Sequence, residues 1–142
     1  MKNLNEDTQL IEDFLQRSID KFTVEKGIPN SVGIYCCPWS GWLTTNFNLD
    51  KSILEFHSNC PDFQYSEFDL LELSDWQEEY EQESPLFIIN GIKFKHDHNL
   101  GDEGLNELIF NFLKPVVTGI KHNNRSEFLL QLLDSNFFAI ID

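Results

Sequence analysis

Eight apolar residues, Leu105, Leu108, Ile109, Phe112, Leu113, Val116, Val117 and Ile120, recur at steps of three and four. Strand side chains alternate with a period of two, so no strand gathers this set on one face. A helix does, and the stripe must then be buried against another layer. Pro115 lies within the stripe. It lacks an N–H and crowds the preceding turn, which predicts a kink or break near residues 111–114.

A second stripe opens the chain. Leu10, Ile11, Phe14, Leu15, Ser18, Ile19 and Phe22 share a helical face, with Asp7 or Thr8 available as a cap. Gly27 and Pro29 supply the stop. Between the helices the period changes to two. Val32, Ile34 and Cys36 alternate with Gly33, Tyr35 and Cys37, and Leu43, Thr45, Phe47 and Leu49 with Trp42, Thr44, Asn46 and Asn48. Residues 31–37 and 42–49 therefore read as an antiparallel pair around the turn 38–41. Asp50 is a candidate cap for a short helix over residues 51–58. Ser74 and Gln77 have capping-box spacing, which predicts a helix starting near Asp75 and ended by Ser84-Pro85. Asn90-Gly91 between two apolar runs predicts a hairpin of residues 86–89 and 92–95. Residues 96–104 read as polar and turn-like, and two final strands are expected at 128–133 and 137–141. The sum is a single domain, 1–142, of α+β class. Its sheet is mostly antiparallel, of about four to six strands, with helices packed on one face.

Charge narrows the function. Ten basic against 24 acidic residues give a net charge of −14. Such a field repels nucleic acid and anionic membrane and steers cationic partners inward. No apolar run reaches the length that spans a bilayer, and the first residues lack a signal peptide's apolar segment, so a cytoplasmic location is expected. Cys36, Cys37 and Cys60 are odd in number and include an adjacent pair, which suits reduced thiols.

The acids concentrate in residues 52–92, which carry ten of them and no Lys or Arg. Phe63, Tyr65, Phe68, Trp76 and Tyr80 are interleaved with them. Asp62, Glu67, Asp69, Glu72, Asp75, Glu78 and Glu79 are the candidate complementary charges for a basic protein surface. Tyr65, Phe68, Trp76 and Tyr80 are the candidate anchors. The bland alternative is a solvated acidic face whose aromatics point into the core.

Catalytic and metal chemistry find weaker support. Asp62, Glu67, Asp69 and Glu72 lack the calcium-loop pattern. His96-Asp97-His98 places two imidazoles at alternate positions with Asp102 and Glu103 nearby, yet no zinc spacing accompanies them. His57 is a candidate base for a Cys36 or Cys37 nucleophile, but no motif joins them. Phosphate-cradling glycine loops and the nucleophile-elbow motif are absent. No cofactor or metal, and no enzyme activity, is expected.

Two stretches, SVGIYCCPWSGWLTTNFNL from Ser31 to Leu49 and YSEFDLLELSDWQEEY from Tyr65 to Tyr80, carry a family resemblance. Their order resembles immunity proteins of bacterial polymorphic-toxin and contact-dependent growth inhibition systems, where a hairpin with small and aromatic residues precedes an acidic Tyr…Asp…Trp stretch. The resemblance covers roughly residues 31–80. It implies a cytoplasmic antidote that binds a cognate toxin domain and blocks its active site. Toxin domains of this sort are often basic nucleases, which an acidic inhibitor complements. The alternative is a non-catalytic adaptor or regulatory domain of a larger complex. Trp39 and Trp42 are open between core and exposed patch.

Overall fold

The computed structural model describes residues 1–56 and 59–142. Its centre is a five-stranded sheet built from β2 (Ser31–Cys37), β3 (Trp42–Asn48), β4 (Tyr65–Glu72), β7 (Glu127–Leu132) and β8 (Phe138–Ile141), in the order β4-β3-β2-β7-β8. A second sheet has the order β1-β5-β6, from Lys2–Asn3, Leu86–Ile89 and Ile92–Lys95. The helices are α1 (Thr8–Lys26), α2 (Ser74–Tyr80) and α3 (Glu103–His122).

The α+β class is as the sequence indicates, with two refinements: the strands form two sheets where one of about four to six strands was expected, and the sheets are mixed. Each sheet contains a parallel pair, β2 with β7 and β1 with β5, while the other pairs are antiparallel. The parallel pairing of β2 and β7 puts Val32 beside Phe128 and Ile34 beside Leu130. Alternation then sends Val32, Ile34, Cys36, Phe128, Leu130 and Leu132 into one core with Leu43 and Phe47 of β3. The stripes of α1 and α3 cover this core: Ile11, Phe14, Leu15, Ile19 and Phe22 from one, Leu105, Ile109, Leu113 and Val117 from the other. Ser18, the one polar member of the α1 stripe, meets Thr45 of β3 at 2.6 Å between hydroxyls, so both buried groups are satisfied. Leu10, at the stripe's margin, is exposed.

The opposite sheet face is covered in part by the segment after β3. Ile53, Cys60 and Phe63 pack there against Leu129 and Tyr35. Gly33 makes this possible, since a Cβ would sit 2.7 Å from the Cys60 sulfur and 2.9 Å from the Phe63 ring.

Local signals resolve unevenly. The hairpin of β5 and β6 has the expected register, with Asn90 and Gly91 at φ 51° and 78°, the left-handed values of a tight two-residue loop. Of the helix expected over residues 51–58, the described part holds a 3-10 turn, Ile53–Phe56, and residues 57 and 58 lie outside the described residues. The capping box does not form: α2 starts at Ser74 without a side-chain cap and ends at Tyr80, short of Ser84. Of the kink or break expected near residues 111–114, no break forms: α3 runs through Pro115 as one helix. Burial of Phe112, Val116 and Val117 on both sides of the proline holds that turn in place.

Candidate functional site

Alternation governs where β4 sends its side chains, and a bulge resets it. The register with β3 shifts between Thr45 and Phe47, and Glu67 sits at φ 50° beside the shift. Asn46 Oδ1 accepts the Glu67 N–H at 2.8 Å, replacing a lost ladder bond. The bulge brings Tyr65 and Phe68 to the same side, where their rings lie 5.2 and 5.3 Å from Phe22, edge to face. Both are half-buried. The ammonium groups of Lys26 and Lys21, from α1, lie 5.6 and 5.5 Å from the Tyr65 and Phe68 ring centres. These lysines are the cationic neighbours of the strand that sequence inspection missed, because they lie some forty positions earlier in the chain. Glu67 and Glu72 are exposed, and Asp69 is half-buried. On the other side of the strand a small concavity is bounded by Trp42, Thr44, Glu67 and Leu70. Trp42 is half-buried there, 5.7 Å from Tyr35.

In α2, positions three and four apart share a face. Trp76, Glu79 and Tyr80 turn inward together, while Asp75 and Glu78 turn out. Trp76 is fully buried, 6.3 Å from Phe112, and its Nε1 donates to Asp7 Oδ2 at 2.8 Å. An anchor for a partner needs accessible surface, so Trp76 is corrected from anchor to core. Glu79, a candidate complementary charge, is also buried, and its carboxylate is taken up within the chain. Its carboxylate accepts the Leu86 N–H at 3.0 Å and pairs with the Met1 ammonium. Burial raises its pKa, but these two partners outweigh burial and hold it below the usual carboxylate value.

Asp75 and Glu78 face a groove of about 690 Å³ that Glu6, Glu79 and Glu83 also line. Its cations are the Met1 ammonium and Lys2, whose Nζ lies 3.3 Å from Asp75 and 3.1 Å from Asp7. Burial pulls the Lys2 pKa down, and the two carboxylates more than restore it, so it stays charged. Glu78 and Glu83 have no ion-pair partner among the described residues. Asp62 lies apart from this groove, exposed at the end of a 3-10 turn, where Asn59 Nδ2 donates to it at 2.9 Å. The structure therefore brings Asp75, Glu78 and Glu79 together at one groove and places Glu67, Asp69 and Glu72 along a sheet edge.

Tyr80 belongs to a third arrangement. Its hydroxyl donates to Asp102 Oδ1 at 2.7 Å. Burial, then this carboxylate, pushes the phenol up to about 12. His96 is buried, with Nε2 3.4 Å from the same Asp102 oxygen. Burial lowers its pKa and prevails over the attraction of Asp102 and Asp97. His98 is exposed, with its Nε2 2.9 Å from the Gln82 carbonyl oxygen. The two imidazoles meet edge to face, 5.0 Å apart. Among the described residues no group of three or more His, Cys, Asp or Glu is placed to hold a metal ion.

The three thiols are free and buried. Burial pushes Cys36, Cys37 and Cys60 above the usual thiol value, which keeps them protonated near neutral pH. That is the opposite of the lowered pKa that activates a cysteine nucleophile. His57, the base considered for such chemistry, lies outside the described residues. No helix among the described residues is long and apolar enough to cross a membrane.

Comparison with known proteins gives no match: no family model, no curated protein and no solved structure is similar to this chain.

Proposed function

We propose that this chain is a non-catalytic binding domain that captures a basic protein, acting as an immunity protein that occludes a cognate toxin domain in the cytoplasm. A nuclease is the toxin type that such a charge complements best. The observation that carries the reading is the exposure of eight of the ten acids of residues 52–92. Glu55, Asp62, Glu67, Glu72, Asp75, Glu78, Glu81 and Glu83 all face solvent, and the chain as a whole has net charge −14. Like charges crowded on a surface repel one another, so they weaken the fold slightly while speeding capture of a cationic surface. Rim charges of this kind govern the on-rate, while affinity needs buried contacts as well. The half-buried rings of Tyr65, Phe68 and Trp42 offer such contacts beside the acids.

The test is recovery of the partner from the source cells on tagged full-length chain, at low and at high salt. The proposal expects one basic protein in stoichiometric amount, lost as salt rises, whose activity the chain suppresses. An acidic partner, a partner held equally at high salt, or a basic partner whose activity is unaffected would overturn it.

A further inference from the structure

A cleft of about 510 Å³ opens where the β2–β3 turn, the start of α3 and the β7–β8 turn converge. Trp39, half-buried, forms one wall, and Phe137 another. Asp102, Glu103 and Asp134 place three carboxyl groups around it, and no Lys, Arg or His among the described residues lines it. Asn106 lines its inner side. It is 4% exposed, and its buried amide oxygen Oδ1 has no hydrogen-bond partner among the described residues. A buried acceptor left unpaired is costly, and a small turn of the amide toward the cleft would offer it to an entering donor. Asp102 has spare capacity too: Tyr80 occupies Oδ1, and Oδ2 takes no hydrogen bond from the described residues.

These groups ask for donors, positive charge and a flat surface. The first turn of α3 opposes a cation through its dipole, but that is worth about half a positive charge against three carboxylates. We propose that this cleft receives a guanidinium group, the side chain of an arginine presented by a protein partner. A guanidinium stacks flat on an indole and carries five donors in a rigid fork. Trp39 supplies the stacking face, the Asn106 oxygen and Asp102 Oδ2 accept donors inside, and Asp134 and Glu103 neutralise the charge at the mouth. An ammonium presents a strongly hydrated point charge that fits this arrangement less well. That the arginine belongs to a protein rests on the function proposed above; the guanidinium chemistry rests on the cleft alone.

The experiment titrates the ¹⁵N-labelled full chain with a capped, glycine-flanked arginine peptide, and with the same peptide carrying lysine or citrulline. The Trp39 indole N–H resonance, assigned with Trp39→Phe, is the readout. The expected result is a saturable Trp39 shift with arginine, at least about tenfold weaker with citrulline, which keeps the shape and loses the charge. Asp134→Asn with Glu103→Gln weakens the arginine peptide severalfold while leaving distant resonances in place, since asparagine tolerates the φ of 49° at position 134. Absence of a shift with arginine, or equal binding of citrulline or lysine, overturns the assignment. The two proposals fail separately. If arginine binds the cleft and no basic protein is recovered from cells, the protein-binding function falls and the guanidinium site stands. If a basic protein is recovered equally by the wild type and the double variant and the arginine peptide does not bind, the site falls and the function stands.

Discussion

Single side chains set the chemistry available to this domain. His96 is buried beside Asp102, and burial depresses its pKa below the ordinary value of 6.5. The unfolded chain then binds a proton at a pH where the folded one does not. The stability that the neutral imidazole confers is complete above the unfolded pKa and is lost as pH falls toward the folded one. The denaturation midpoint should drop as pH falls below about 6.5, and His96→Gln should flatten that drop. An identical slope in the variant would contradict the burial argument. The thiols follow the same logic in another sense. Cys36, Cys37 and Cys60 should react with iodoacetamide at neutral pH far more slowly in the native chain than in denaturant, by about 100-fold or more. Rapid labelling of the native chain would restore a thiol nucleophile to consideration.

Elements were legible where their signal is local. The stripes of α1 and α3, the alternation of β2 and β3, and the Asn90-Gly91 loop each state their structure within a few residues. Elements that depend on distant partners were not. The strand β4 was hidden because the bulge at Glu67 breaks its period, so Tyr65 and Phe68 share a side although their spacing is odd. The two-residue β1 exists because Phe87 and Ile88 lie beside it, which nothing near Lys2 reveals. The direction of Trp76 was hidden for the same reason: an aromatic between acids reads alike whether it faces Phe112 or solvent. The β2–β3 turn depends on Gly41, at φ 69°, where a Cβ would lie 2.2 Å from the Leu73 carbonyl oxygen. The backbone conformation alone penalises alanine by about 1–2 kcal/mol. With the clash added, Gly41→Ala should lower stability by at least about 2 kcal/mol in urea unfolding. A loss below about 0.5 kcal/mol would show that this turn moves freely.

At the scale of the molecule, two layers of helix and sheet fix three acidic regions on the surface: the β4 edge, the α2 groove and the Trp39 cleft. The first two were legible as an acidic segment. The third was not, because residues 39, 102–106 and 134–137 come together only through the fold. Charge on the first two is the core of the functional account, and it is separable from stability. Glu67, Glu72, Glu78 and Glu83 are exposed and lack ion-pair partners among the described residues, so glutamine at all four should leave the unfolding midpoint unchanged or slightly raised. The most direct measurement is the association rate of the recovered basic partner with the wild type and with this quadruple variant, from about 50 to 500 mM salt. The account predicts association about tenfold slower for the variant at the lowest salt, with a flatter salt dependence and rates that converge as salt rises. Equal rates and equal salt slopes would contradict it.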